Sequence, residues 1–257
     1  MQIDYVSNLG GSGNYASVAI DEEHFPDESF REYVSSNFDK DGDNILSSEE
    51  IAAVTKIELD YTISYIFLHN DDRAKSLRGI EYFPALGELK LTWCNLESLD
   101  LSANTNLYKI DISTSSLKSL NLGKNNTLLW MDCGVNELTE LDVSGCPALR
   151  YLGCGYNELT ELNVNGCTLL QELLCARNEL TELDVSSFSL LTDLHCYENQ
   201  LETLNLGNNV NLEWLYCYSN NIKTLDLSNT PILTGLFCYS NDISELDVSD
   251  KYELFYF

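Results

Sequence analysis

Asp39, Asp41 and Asp43 put carboxylates at alternate positions of one short segment, and Glu50 follows. Alternate residues of a tight loop face a common centre, so hard oxygen donors at this spacing suit Ca2+. A second set of residues carries rings. Trp214, Tyr216 and Tyr218 are spaced by two, which puts them on one face of a strand. Tyr197, Tyr218 and Tyr239 recur at a fixed interval, as do His195, Tyr216 and Phe237, and Trp130 and Tyr151 add rings toward the middle of the chain. Such a ring patch on a soluble surface marks a contact site, because Tyr and Trp bring large area at low entropy cost. The bland alternative is cross-strand stacking for its own sake. Catalysis is not expected. The chain has three histidines, His24, His69 and His195. His195 adjoins Cys196, but neighbours along a strand face opposite sides and form no dyad. No nucleophile elbow, P-loop, HExxH or C-x-x-C is present.

The elements that position these residues come from a period. Of nine cysteines, Cys133, Cys154, Cys175, Cys196, Cys217 and Cys238 stand 21 residues apart. Cutting at Leu86, Leu107 and so on to Leu254 gives eight full repeats and a truncated ninth over 86–257, with no insertion. In one copy Leu149, Leu152, Cys154, Leu159, Leu162 and Val164 alternate with polar residues in two bursts, each read as a short strand with one face inward. One coil cannot bury that face alone, so coils stack, with strands ~4.8 Å apart. The cysteines then form an interior column. Reduced thiols packing as small hydrophobes are the favoured state; disulfides are the rival, since the spacing falls within their range. Cys146 and Cys167 make a second stacked pair and the better candidates for a bridge.

Two polar columns accompany them. Asn136, Asn157, Asn178, Asn199, Asn220 and Asn241 follow the first strand, where an amide satisfies backbone groups left over by the bend. Asp100, Asn121, Asp142, Asn163, Asp184, Asn205, Asp226 and Asp247 lie in the second burst. Alternating Asp with Asn there spaces like charges on a solvated face, and a calcium ladder is the sharper alternative.

The first half of each copy reads L-x-x-L-x-C-x-x-N-x-L and resembles the leucine-rich repeat, with Cys where Leu is usual. Within that family it looks most like the cysteine-containing repeats of internalin-like bacterial surface proteins. The resemblance implies an α+β architecture: a right-handed solenoid with short parallel strands on a concave face, behind a small helical N-terminal cap. It also implies that function sits on the concave strand, where the ring residues fall, and that the protein is secreted or at the cell surface.

The 257 residues divide accordingly. Residues 1–20 read as a flexible lead-in. Residues 21–56 carry Phe30, Tyr33, Val34 and Phe38 at helical spacing, then the segment from Asp39 to Glu50. That segment resembles the EF-hand calcium loop. The resemblance implies side-chain oxygens from Asp39, Asp41, Asp43 and Glu50, the carbonyl of Ile45, and Ser47 directly or through water. Asn44 stands where the pattern has Gly, and Asn tolerates a left-handed backbone. A plain turn is the alternative, since Ser47 and Glu50 also make a capping box for a helix at 49–55. If Ca2+ binds, it braces the cap. Residues 57–85 read as a degenerate first coil, with Asn70, Asp71, Asp72 and Arg73 in an inserted surface loop. Leu254-Phe255-Tyr256-Phe257 begins a coil and stops, so truncation of a longer chain is expected, with a dimer through the open end as alternative.

Lys+Arg number 14 against 41 Asp+Glu, a net charge of −27 that argues against nucleic acid or an anionic lipid surface as partner. No apolar run is long enough to insert in a membrane. The expected function is recognition of a protein or glycan through the rings; the rival is a spacer segment without a ligand of its own.

Overall fold

The computed structural model describes residues 15–61 and 73–255. Most of the lead-in, His69, Asn70, Asp71, Asp72, Tyr256 and Phe257 lie outside the described residues. Nine strands form one parallel sheet in chain order: Lys56–Asp60, Glu88–Thr92, Lys109–Asp111, Trp130–Asp132, Tyr151–Gly153, Glu172–Leu174, Asp193–His195, Trp214–Tyr216 and Gly235–Phe237. Each repeat strand pairs with its equivalent in the next coil, as in Leu152↔Leu173 and Leu173↔Leu194. The molecule is a parallel leucine-rich repeat solenoid, as the period predicts. The strand Lys56–Asp60 pairs with Glu88–Thr92 and opens the sheet.

The alternation explains the core. Leu149, Leu152, Cys154 and Leu159 are all fully buried. The column Cys133 to Cys217 is likewise buried, and Cys238 in the last coil is half-buried. All nine cysteines are free thiols, Cys146 and Cys167 included. Burial pushes the Cys175 thiol up to about 12 and the Cys154 and Cys196 thiols well above their ordinary value. A thiol that does not ionise is inert and serves as a small hydrophobe.

The asparagine column ties coils together. Asn157 Oδ1 accepts the Leu138 N–H of the preceding coil at 3.1 Å. Its Nδ2 donates to the carbonyls of Cys133 and Cys154, both at 3.1 Å. Each residue just before these asparagines is left-handed: Val135, Tyr156, Arg177, Glu198, Ser219 and Ser240 have φ between 53° and 58°. The backbone holds there because the amide ladder fixes the bend on both sides. In the second coil Ser115 occupies the asparagine position, fully buried, and its hydroxyl donates to Leu91 and Ser113. A second internal ladder is absent from the sequence reading. Asn104 Nδ2 donates to Ile80 and Phe83, Cys167 Sγ to Val143, and Asn209 Nδ2 to Val185 and Phe188.

The second burst departs from expectation. Only Ser98–Asp100, Ser119–Asn121, Glu140–Asp142 and Glu161–Asn163 are strands, paired two by two. A single bridge, Asp184↔Asn205, continues them. The Asp/Asn column makes one local bond in every coil, whether or not the burst pairs as a strand. Each side chain turns back on its own chain and accepts the N–H two residues on, as Asp142 does from Ser144 at 2.8 Å and Asn205 from Gly207 at 3.1 Å. The column is therefore a series of Asx turns as well as a spacing of charge, and the same bonds hold Asp142 and Asp226 below the usual carboxylate range.

Among the described residues two helices precede the solenoid, α1 (Glu28–Phe38) and α2 (Ser48–Ala53). Asp27 caps α1 through the Phe30 N–H at 2.9 Å. Its other oxygen accepts the N–H groups of Lys75 and Ser76, fastening α1 to the first coil. Phe30 and Val34 are buried in the core. Helix α2 ends before the expected residue 55, because the Thr55 carbonyl accepts from Gly87 and Glu88 and the chain enters the sheet at Lys56. Gly79 adopts φ 107°, and a Cβ there would sit 2.4 Å from the Phe25 ring, so the close approach requires glycine.

Candidate functional site

The outward positions of the nine-stranded sheet form three columns, and the rings fall into two clusters on them. Trp130 and Tyr151 stack at 4.9 Å, nearly parallel, with Lys109 Nζ 5.0 Å above the indole. Further along, Tyr197 stacks on Tyr218 at 4.5 Å and Tyr218 on Tyr239 at 4.6 Å. Tyr216 stacks on Phe237 at 4.6 Å, and His195 lies 4.2 Å from Tyr216. Trp214 lies 6.2 Å from Tyr216 and spreads over Gly235; a Cβ at 235 would fall 2.2 Å from the indole. Strand register accounts for this geometry: equivalent side chains in neighbouring parallel strands fall one above the other. All nine ring residues singled out from the sequence lie on this face, half-buried except for Tyr239, which is 57% exposed.

The charges on the face are unevenly matched. In the first coils Lys56 and Lys90 neutralise Glu58 and Asp60 at 2.8–3.0 Å. In the middle, Asp111 stands opposite Asp132 and Glu172 opposite Asp193. Burial, with repulsion from Asp111, raises the Asp132 carboxyl above its ordinary range, although Gly134 donates to it; burial and Asp193 raise Glu172. Burial lowers His195, which is therefore neutral at pH 7 and presents a ring, not a charge. Cys196 is fully buried behind it, so the two face opposite sides.

Between the ring clusters lies a depression of about 230 Å3 over Gly153, Gly155, Leu174 and Ala176. Its walls include Asp132, Tyr156 and Tyr197, and Arg177 packs 4.7 Å over the Tyr156 ring. The sequence reading identified the rings and missed this gap. The available signal was a run of small residues, Gly134, Gly153, Gly155 and Ala176, at outward positions where later coils carry rings.

In the N-terminal cap, ligand atoms of Asp39, Asp41 and Asp43 lie within 4.8 Å of one another. Gly42 and Asn44 take φ 74° and 63°, the left-handed turns that converge the loop. Asp39 accepts from the N–H groups of Gly42 and Asn44. Glu50 stands outside that group of three. Its carboxylate accepts from the Ser47 N–H and hydroxyl and from the Lys40 N–H, closing the capping box. The loop's short strand Ile45–Leu46 pairs antiparallel with Val18–Ala19, so the chain's own N-terminal segment supplies the strand partner. The donors fit a hard cation through the three aspartates, and Glu50 joins only by leaving its cap.

No protein-family model matches the chain, and no curated protein does. Solved structures do. The chain is similar to the functional domain of InlJ from Listeria monocytogenes, described as including a cysteine ladder, at 34% identity and TM-score 0.78 over 95% of this chain and 52% of that one. This chain thus spans about half the length of that structure. A leucine-rich repeat protein of Leptospira interrogans aligns at 23% identity and TM-score 0.60, over 68% of this chain and 49% of that one. Internalin C2 of Listeria monocytogenes aligns at 19% and 0.60, over 94% and 96%. The last two show the fold alone. No helix among the described residues is long and apolar enough to cross a membrane. The solenoid, its interior column of thiols and these neighbours together place the chain in the leucine-rich repeat fold, with internalin-like structures as its structural neighbours.

Proposed function

We propose that this chain is a binding module of a secreted or surface protein, and that it recognises a macromolecular ligand, protein or glycan, through the ringed face of its long sheet. The observation that carries the reading is the continuous block of His195, Tyr197, Trp214, Tyr216, Tyr218, Phe237 and Tyr239, stacked across three coils on a solvent-facing surface. Scaffolding alone needs no such block: the early coils hold the same fold with Lys, Asp, Thr and Ser at these positions. Rings in an ordered stack present preorganised area and lose little entropy on binding. The similarity to the functional domain of InlJ supports the reading.

The test is a double variant, Trp214→Ala with Tyr216→Ala, set against ligands captured from arrays of proteins and glycans. Loss of capture by about tenfold or more, with the thermal midpoint little changed, is expected. Capture by the variant at wild-type strength would remove the face from the account. We further propose that the loop at Asp39, Asp41 and Asp43 takes one Ca2+ that braces the cap, with Ile45, Ser47 and Glu50 as further donors once the capping box opens. Convergence of the three aspartates supports this reading.

A further inference from the structure

We propose that the depression between the two ring clusters seats a cationic side chain, arginine or lysine, of a basic partner polypeptide; this rests on the reading of the sheet face as a binding surface. At about 230 Å3 the depression is smaller than the ~300–1,000 Å3 of small-molecule pockets, and suits a single side chain. It is lined by Asp132 and Tyr151 from earlier coils and by His195 and Tyr197 from a later one. Glycine keeps it open. A Cβ at 153 would meet the Asp132 carboxyl and the Tyr151 hydroxyl at 3.1 Å, and one at 155 the Ala176 carbonyl at 3.0 Å.

Charge complementarity names the occupant. Two like-charged pairs, Asp111 with Asp132 and Glu172 with Asp193, sit directly opposite each other on adjacent strands. Such pairs destabilise a sheet. No ion pair among the described residues involves any of the four. The contrast lies on the same face: Glu58 and Asp60 in the first coils have Lys56 and Lys90. At the depression Asp132 has no cation of its own among the described residues, and the nearby Arg177 is paired with Glu198. It also uses rings as cation seats where it has a cation to offer, at Lys109 over Trp130 and Arg177 over Tyr156. A guanidinium or ammonium entering here would face rings and Asp132, relieving its repulsion with Asp111, and Glu172 would add attraction from the adjacent strand. The net charge of −27 draws a basic partner in from a distance.

The probe is a fluorescent peptide of alternating arginine and glycine, titrated against the full chain at physiological salt, beside an analogue with citrulline in place of arginine. Saturable binding of the arginine peptide is expected, weakened about tenfold or more by citrulline. The same loss is expected for Asp132→Asn with Glu172→Gln, and for Tyr151→Ala with Tyr197→Ala, which leaves charge unaltered. Glu140→Gln with Glu161→Gln removes a carboxylate pair stacked in register on the other strand set, and should bind within about twofold of the wild type. Circular dichroism checks that each variant is folded. Equal weakening by the Glu140/Glu161 control, or full binding by the tyrosine variant, would reduce the effect to diffuse attraction and overturn the proposal. If a captured ligand is lost by the Trp214/Tyr216 variant and kept by the Asp132/Glu172 variant, the cation seat falls and the broader reading survives. A ligand kept by both would sink the broader reading itself.

Discussion

At the scale of single residues, amides hold the coils and carboxylates strain them. The Asn157 side chain makes four internal bonds in a buried position, accepting from Leu138 and donating to Cys133, Cys154 and, at 3.4 Å, Gly155. Asn157→Ala leaves a buried N–H and two carbonyls with fewer partners, at about 1–3 kcal/mol for each group orphaned. A loss of about 3 kcal/mol in urea unfolding is the expected result; a change below about 0.5 kcal/mol would mean that water replaces the amide. Asp132 works in the opposite direction. Its folded pKa is raised, so folding favours the protonated form. Its contribution is fully present below the unfolded value of 3.8 and is lost as pH rises through the folded value. Asp132→Asn keeps the acceptor for Gly134 and removes the charge. It should raise the thermal midpoint at pH 7, and the gain should vanish below pH 3.8. An equal gain at both pH values would assign the effect to packing. The asparagine and cysteine columns were legible in the sequence because each repeats at one interval. The Asx turns were half legible: the column was seen, but its bonds to residues two positions on were not, beside the contact between coils from Asn121 Nδ2 to Asp100. Asp132 and Glu172 were not singled out, although each stands one 21-residue interval from its like-charged partner; the part the sequence did not carry is the burial that raises both carboxyls.

At the scale of elements, one carboxylate ties the start of α1 to the first coil, beside the ring contacts of Phe25 and Phe38 with Phe83. Asp27 serves the first turn of α1 with one oxygen and Lys75 and Ser76 with the other. Asp27→Ala should cost about 2 kcal/mol through the lost cap and the two released N–H groups, and should raise hydrogen exchange across α1. Exchange that rises equally in distant coils would show general destabilisation instead. For the loop, Ca2+ should raise the melting midpoint of the cap, chelator should reverse it, and Asp39→Ala should abolish the difference. Identical melts with metal and chelator would leave the loop as a plain capped turn. The helix positions were readable from Phe30 and Val34. The tether was not, because Asp27 and Lys75 are far apart in sequence and no period connects them.

At the scale of the whole molecule, the thiol column is a probe of the stack. Eight cysteines are buried and Cys238 is half-buried in the last coil. A thiol reagent should label Cys238 first and the others only at the rate of opening, with protection rising from the last coil toward the middle. Uniform fast labelling would contradict an interior column.

The 21-residue period determined the solenoid, the interior thiols and columns such as Tyr197, Tyr218 and Tyr239, because a repeat stacked in register projects identical positions in identical directions; the spacing of two put Trp214, Tyr216 and Tyr218 on one face. Tertiary structure decided the rest. It turned a run of small residues into a depression with Asp132 half-buried at its wall, and joined Asp27 to Lys75. These are relations between coils or between cap and coil. They depend on which unlike side chains become neighbours, and a repeat unit read one copy at a time does not contain that information.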